Sequence, residues 1–390
     1  MTKNPLLPIF LIVFVDILGM TMIIPLLPFY AQSMHASDLM VGFLFSSYAL
    51  CQLIAGPVLG KLSDHYGRKP LLILSQIGTL IGFIVLALSH QLWLVFLSRI
   101  IDGVTAGNLS LAQAYIADVT APEKRAQSFG VIGIAFGVGF TIGPGISGEL
   151  ARFGYVYPIL AACALSFTSI LCTTFLLPGK VQPPPGESLP PTPAERASIF
   201  HPGQYIAYFR RPGLGNLFLQ FLCFVFSFST FFAGFALFSQ ARLRYGPTQV
   251  GHVLLAIGVL GILLQGKALG WMVDKFGESR VAQAGFLAAG VSGTAISLVT
   301  NTAGMVATAG GLSMGSGMVR APVTSLITQK AGKHEQGVIL GITQSLQSIA
   351  QIVSPPIATG LIGLRLENAW AFVAGGFMLC GLAFAIRRQS

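Results

Sequence analysis

Stretches of about 20 residues almost without charge recur along the whole chain, and nothing else constrains its fold as strongly. Only 9% of the residues are charged and 53% are hydrophobic, whereas soluble domains carry about 25% charged residues. In lipid a segment this apolar must satisfy its own backbone, which leaves the helix as its solution. The windows fall near 6–30, 39–62, 70–88, 92–118, 125–148 and 157–177, then near 213–240, 248–273, 281–299, 304–328, 336–361 and 369–386. The expected fold class is an all-α membrane protein with twelve transmembrane helices. The first window is too long for a signal-peptide core, contains Asp16 and lacks a small-residue cleavage pattern, so it reads as helix one. Lipid is therefore the first expected partner. The net charge of +10 does not point to nucleic acid, because its cations sit in short loops between apolar segments.

Those cations orient the chain. One side holds sixteen: Lys3, Lys61, Arg68, Lys69, Lys124, Arg125, Lys180, Arg196, Arg210, Arg211, Lys275, Arg280, Lys330, Lys333, Arg387 and Arg388. The other holds four: Arg152, Arg242, Arg244 and Arg365. Both termini are therefore expected in the cytoplasm, in a multi-pass protein of the cell (inner) membrane. The one long loop, 178–212, is proline-rich and divides the chain into bundles 1–177 and 213–390, with 200–211 a candidate surface helix. A charged turn repeats across that division. Gly60-Lys-Leu-Ser-Asp64-His-Tyr-Gly67-Arg68-Lys69 has a worn counterpart 210 residues later, in Gly270-Trp-Met-Val-Asp274-Lys-Phe-Gly277-Glu278. Two related, membrane-embedded halves are the layout of a secondary transporter.

Five ionisable residues stand inside the windows: Asp16, Arg99, Asp102, Lys267 and Arg320. A charge at the bilayer centre costs at least roughly 2.5–3.5 kcal/mol, so each needs a wet cavity or a partner. At about 1.5 Å per residue, Asp16 and Asp102 both come out near mid-membrane. Arg99 lies one turn from Asp102, a spacing that allows a direct ion pair. A carboxylate shared among an arginine, a cavity and a proton can couple transport to a proton gradient, because protonation cancels the cost of enclosing its charge. Asp16 or Asp102 is the expected proton carrier with Arg99 as conformational partner; alternatively Arg99–Asp102 is a static packing pair. Arg320 reads either as a counter-charge in the cavity or as a snorkelling side chain, and Lys267 as snorkelling.

The first turn resembles the conserved loop between helices two and three of the major facilitator superfamily. Helix five, with Gly133, Gly137, Gly139, Gly143-Pro144-Gly145 and Gly148, resembles the antiporter motif of its drug/proton exporter branch. Arg99-Ile-Ile-Asp102-Gly103, Ala114-Tyr-Ile-Ala-Asp118 and Glu123-Lys-Arg125 are similar to helix four and its following loop in tetracycline/proton antiporters, and Asp16, Gly19, Pro25 and Pro28 fit helix one. The resemblance implies two pseudo-symmetric six-helix bundles whose helices one and four line a central cavity. It also implies an inner gate at Gly60, Asp64, Gly67, Arg68, Lys69 and Asp118. Arg68 would meet Asp118, and Asp64 would face the start of helix eleven around Gln336 and Gly337; the alternative is that Arg68 and Lys69 only enforce orientation. Gly60 and Gly67 would permit a tight turn and close approach. The second copy lacks the Gly-Arg-Lys ending, so no symmetric second gate is expected. Small-residue spacing in helix five and at Gly266/Gly270 would form a tight seam between helices five and eight, with Pro144 kinking or stiffening helix five.

Phenylalanines at 218, 221, 224, 228, 231, 235 and 238 form a stripe on helix seven. The stripe is either an aromatic wall for substrate or a lipid-facing surface, in which case Gln220, Ser227 and Thr230 form the wet face. Asn108, Gln113, Gln344, Gln347 and Gln351 are amides inside windows that meet substrate or a neighbouring helix. The candidate cavity lining is Asn108, Gln113, Gln220, Phe231, Arg320, Gln344 and Gln347. No nucleotide-binding loop, Ser/His/Asp arrangement or metal cluster can be assembled, and the five cysteines read as buried free thiols, so neither an enzyme nor a metal site nor a cofactor is expected. The proton gradient is the expected energy source. The expectation is a monomeric exporter of amphipathic drugs or similar small molecules; the alternative is a carrier of a metabolite or organic anion bound by Arg320 and Arg99. Helices three and nine lack the acidic residue common in tetracycline exporters, which argues against tetracycline itself.

Overall fold

The computed structural model describes residues 6–120, 125–178, 208–211, 213–263, 268–330 and 336–387; the side chains at 6–7, 125–129, 131, 336–337 and 340 are outside that description. Lys267, Gly266, most of the expected linker and most of the candidate surface helix at 200–211 fall outside the described residues. Among the described residues there is no strand. The helices are α1 (Leu6–Gln32), α2 (Asp38–Tyr66), α3 (Arg68–Ala87), α4 (Leu92–Val104), α5 (Asn108–Val119), α6 (Arg125–Leu150) and α7 (Val156–Leu176). They continue as α8 (Leu214–Leu243), α9 (Pro247–Leu263), α10 (Leu269–Phe276), α11 (Glu278–Ala295), α12 (Thr302–Gln329), α13 (Gln336–Gly363) and α14 (Glu367–Arg387).

Nine described segments are long and apolar enough to cross a membrane, with α4 and α5 together making one of them. The α9/α10 pair, α12 and α13 complete the twelve-helix arrangement. Large apolar side chains are exposed in the middle of many helices; Ile54, Leu74, Ile81, Phe167 and Val291 are examples. Such a surface suits lipid and not water.

Two compact units form on either side of the proline-rich segment. The first contains the chain up to Ala36 and from Ser47 through α7; the second contains α8–α14 together with Ser37–Ser46. The start of α2 thus packs in the second unit, ahead of the sequence division. Two prolines, Pro355 and Pro356, stand inside α13. Pro356 has no N–H for the Ile352 carbonyl one turn earlier. Ser46 Oγ fills that place, donating to Ile352 O at 2.6 Å. Gly42 allows the approach, since a Cβ there would lie 2.6 Å from Pro356 Cα and 2.8 Å from Pro355 O.

In the first unit α1 is central, packed by α6 and α7 and touched by α5, and α3 packs on α4 and α7. Gly139 and Gly143 of α6 face α1. A Cβ at Gly139 would press on Ile17 Cγ2 at 2.7 Å, and one at Gly143 would lie 3.3 Å from Leu18 O. Thr21 Oγ1 donates to Gly139 O at 3.0 Å, and Ser147 Oγ to Met22 O at 2.7 Å. These two glycines therefore serve close contact with α1 inside their own unit; a Cβ at Gly133 or Gly270 would meet nothing within 4 Å.

In the second unit the helix-seven stripe lies inside the packing, against both expectations for it. Phe218, Phe221, Phe224, Phe231, Phe235 and Phe238 are buried, and so are Gln220, Ser227 and Thr230. Trp370 of α14 organises this contact: its Nε1 donates to Thr230 O at 2.9 Å, and its ring stacks on Phe238 at 4.7 Å and on Phe231 at 6.2 Å. All five cysteines are free, but only Cys223 is buried; Cys380 is exposed.

Candidate functional site

Helix four is broken where the sequence predicts continuity. α4 ends at Val104 and α5 begins at Asn108, so the break at 105–107 starts just beyond Asp102. Ser75 of α3 makes the break affordable: its hydroxyl donates to Thr105 O and accepts from Gly107 N at 2.9 Å. Thr105 Oγ1 turns back onto Ile101 O at 2.9 Å. Backbone groups freed at membrane depth are tolerated where protein re-satisfies them in this way.

Just before the break, Arg99 Nη1 meets Asp102 Oδ2 at 3.2 Å, as the spacing of three predicts. Both residues are buried, at 7% and 5% exposure. The guanidinium stands over the Phe83 ring at 5.9 Å, while its Nη2 is buried without a hydrogen-bond partner among the described residues. Thr79 hydrogen-bonds the Asp102 carboxylate, and Tyr48 of α2 lies beside both charges. The pair is thus enclosed by α2, α3 and α4, with one guanidinium nitrogen unused.

Asp16 of α1 is half-buried. Gln76 Nε2 of α3 lies 3.5 Å from Asp16 Oδ2 and donates to Ser169 Oγ of α7 at 2.8 Å. Ser169 in turn lies 3.4 Å from Ile12 O, one turn before Asp16. The Asp102 carboxylate is near enough to act on Asp16 electrostatically. Sequence reasoning missed Gln76, Ser169, Thr79 and Tyr48. The signal available was a fully polar amide in the middle of helix three, one helical turn from Thr79.

The turn between α2 and α3 brings two of the expected gate residues, Asp64 and Asp118, onto one expected cation, Arg68. Arg68 Nε donates to Asp118 Oδ2 at 2.8 Å, at the end of α5. Its Nη1 lies 2.5 Å from both Asp64 Oδ1 and Ser63 Oγ. Asp64 is therefore bound by Arg68 within its own unit; the side chains at Gln336 and Gly337, expected opposite it, are outside the described residues. Lys69 is used differently. Its Nζ donates to Thr174 O at 2.8 Å and Leu177 O at 2.7 Å, capping the C-terminal end of α7 where a cation is favoured. Gly67 adopts φ +94°, which makes the turn, while Gly60 lies within α2 and a Cβ there would meet nothing within 4 Å. The close approach expected at Gly60 is not used among the described residues.

The cavity candidates differ in exposure and in the partners they have within their own units. Gln220 is buried and donates to Asn216 Oδ1 at 2.6 Å, and Phe231 is buried against Trp370. Asn108 opens α5 with a buried, unpartnered Oδ1. Gln113 and Gln344 are exposed and Gln347 is half-buried. Arg320 is exposed on α12, and none of the ion pairs among the described residues includes it. Gly137 O accepts from Thr141 Oγ1 at 2.7 Å; Pro144, Gly145 and Gly148 are buried in α6.

Twelve helices, a broken helix at membrane depth and charges paired inside spans define a multi-pass membrane transporter. The chain belongs to the major facilitator superfamily: the family described as Major Facilitator Superfamily matches residues 9–355. It is 29% identical to the class C tetracycline resistance protein of Escherichia coli, over 97% of this chain and 96% of that one. It is 26% identical to multidrug resistance protein 2 of Bacillus subtilis (strain 168), over 96% and 92%. Among solved structures it resembles the human organic anion transporter MFSD10 (TETRAN), with a TM-score of 0.74, 22% identity and 98% of each chain covered. The nucleoside transporter NupG gives a TM-score of 0.74 at 12% identity over 100% of each chain. At those identities the two structures speak for the fold alone. The protein is thus an integral membrane transporter related to efflux proteins, not an enzyme.

Proposed function

We propose that this transporter is a proton-coupled antiporter that exports amphipathic small organic molecules, as a monomer with both termini in the cytoplasm. The observation that carries the reading is the Arg99–Asp102 pair inside a span, with Asp16 held nearby on a neighbouring helix. Such groups are expensive in a membrane and are kept where protons or substrates pass. Protonating a carboxylate of this set removes the charge that an occluded state would have to enclose. Release of Asp102 from Arg99 leaves a guanidinium able to hold the alternate state.

The relatives named for tetracycline and multidrug resistance support export and an amphipathic substrate. The Arg68-centred turn supports an inner gate, since it ties the start of α3 to the ends of α2 and α5.

Proteoliposomes with an imposed proton gradient test the reading. Cationic, neutral and anionic compounds are screened for uptake, and proton movement is followed on substrate addition. Proton efflux coupled to uptake of amphipathic cations or neutral compounds is expected. Asp16→Asn and Asp102→Asn are each expected to abolish gradient-driven transport. Undiminished transport in the double variant, or coupling only to anions, would sink the proposal.

A further inference from the structure

Gln76 is placed to do more than fill space. It is buried to 0% exposure between α1, α3 and α7, and it spends one amide nitrogen on two partners, Asp16 and Ser169. Its side-chain oxygen, Oε1, is buried with no hydrogen-bond partner among the described residues. A buried acceptor left bare is costly, and a native site that keeps one calls for an explanation.

The chemistry of the three groups supplies one. A carboxylate only accepts hydrogen bonds, and its protonated form must also donate one. An amide offers both functions from one planar group, and a serine hydroxyl accepts either face of it. With Asp16 charged, the observed arrangement holds: Gln76 Nε2 donates to the carboxylate and to Ser169 Oγ. With Asp16 protonated, rotating the amide by half a turn presents Oε1 to the new O–H, and Ser169 donates to the same oxygen. The bare oxygen is then the acceptor kept for the proton-bearing state.

We infer that Gln76 is the positioning residue for Asp16, serving it as donor when charged and as acceptor when protonated, with Ser169 anchoring both orientations. The inference rests on the proposed role of Asp16 in proton coupling. The titratable group that the structure sets against Asp16 is Asp102, whose own partners are Arg99 and Thr79, with Tyr48 beside them. Gln76 is a neutral partner of Asp16, one turn along α3 from the Thr79 that serves Asp102, and its function does not require it to titrate.

The test compares Gln76→Met, which keeps the length without donor or acceptor, with Ser169→Ala and Asp16→Asn, all in proteoliposomes. Three quantities are read: gradient-driven uptake, substrate binding by the purified protein, and the infrared carboxylic-acid stretch assigned to Asp16 by its loss in Asp16→Asn. Losing hydrogen bonds to a charged group is worth about a tenfold effect or more. Gln76→Met is therefore expected to lower gradient-driven uptake at least about tenfold with substrate binding within about twofold, and to move the Asp16 band to higher wavenumber. Ser169→Ala should do the same more weakly, and it serves as the informative variant if Gln76→Met does not fold. An unshifted band and unchanged uptake in these variants, with Asp16→Asn inactive, would overturn the role of Gln76 and leave the coupling reading standing. Full coupling in Asp16→Asn would remove Asp16 from the coupling reading and overturn this inference with it, leaving Asp102 as the carrier to be tested by the double variant.

Discussion

The two related turns share a backbone and divide over their charges. Gly67 and Gly277 have nearly the same conformation, φ +94° with ψ 154° and φ +81° with ψ 154°, and each opens the next helix. Each glycine N–H closes the preceding helix, Gly67 onto Ser63 O at 3.0 Å and Gly277 onto Val273 O at 2.8 Å. The side chain that follows is reversed in sign. In the first turn Arg68 is the donor, and carboxylates at Asp64 and Asp118 receive it. In the second, Glu278 is the acceptor: Ser325 Oγ donates to its Oε1 at 2.6 Å and Gln329 Nε2 to its Oε2 at 3.0 Å, near the end of α12. The worn copy is therefore also tied, by neutral donors instead of an ion-pair triad. The brace is common to both turns and the charge pattern is not. What the first turn has beyond the second is a cation shared by two carboxylates, which can exchange partners; the second can only hold or let go.

The largest effect should come from removing the shared cation. Arg68→Ala leaves Asp64 and Asp118 facing each other uncompensated, both partly buried. Stranding a partner of a buried pair costs about 3–5 kcal/mol, and partial exposure reduces this to about 1–3. A lower unfolding temperature in detergent and transport reduced about tenfold or more are expected; a variant as stable and active as the parent would break the distinction between the turns.

Next comes polarity. Glu278→Arg alone faces Ser325 and Gln329 without an anion and should destabilise the second turn by about 1 kcal/mol. Adding Gln329→Asp installs the first turn's pattern and should recover most of that loss, a coupling measurable by a double-mutant cycle.

The glycines should behave alike. Gly67→Ala and Gly277→Ala each force a side chain into a positive-φ, extended-ψ conformation that is essentially reserved for glycine, at about 1–3 kcal/mol. Unequal losses in thermal stability would mean that the backbones, and not only the charges, have diverged. The smallest effect belongs to Lys69→Met, which removes the cap on α7 and should cost about 0.3–1 kcal/mol without altering proton coupling.

How much of this was readable in advance follows from range. The spans, the glycine turns and the Arg99–Asp102 pair are local, set by composition or by neighbours three residues apart, and the sequence shows them directly. The break at 105–107 was hidden because the residue that stabilises it, Ser75, lies on another helix. Gln76 and Ser169 were overlooked for the same reason, as an amide on one helix has meaning only beside the carboxylate of another. The phenylalanine stripe shows a different limit: a periodic apolar face looks the same whether lipid or a tryptophan on α14 covers it. Glycine spacing likewise shows that a helix will be approached closely, without saying by which neighbour; for Gly139 and Gly143 it is α1.

The hydroxyl of Ser46 on Ile352 O does for α13 what an external cap does for a helix end. Pro356 lacks the N–H that would answer this carbonyl in the regular ladder. An unsatisfied backbone group in lipid costs several kcal/mol. One serine thus answers a backbone group that a proline leaves open in another helix, and Ser46→Ala would pass that cost to α13, far along the chain from the substitution.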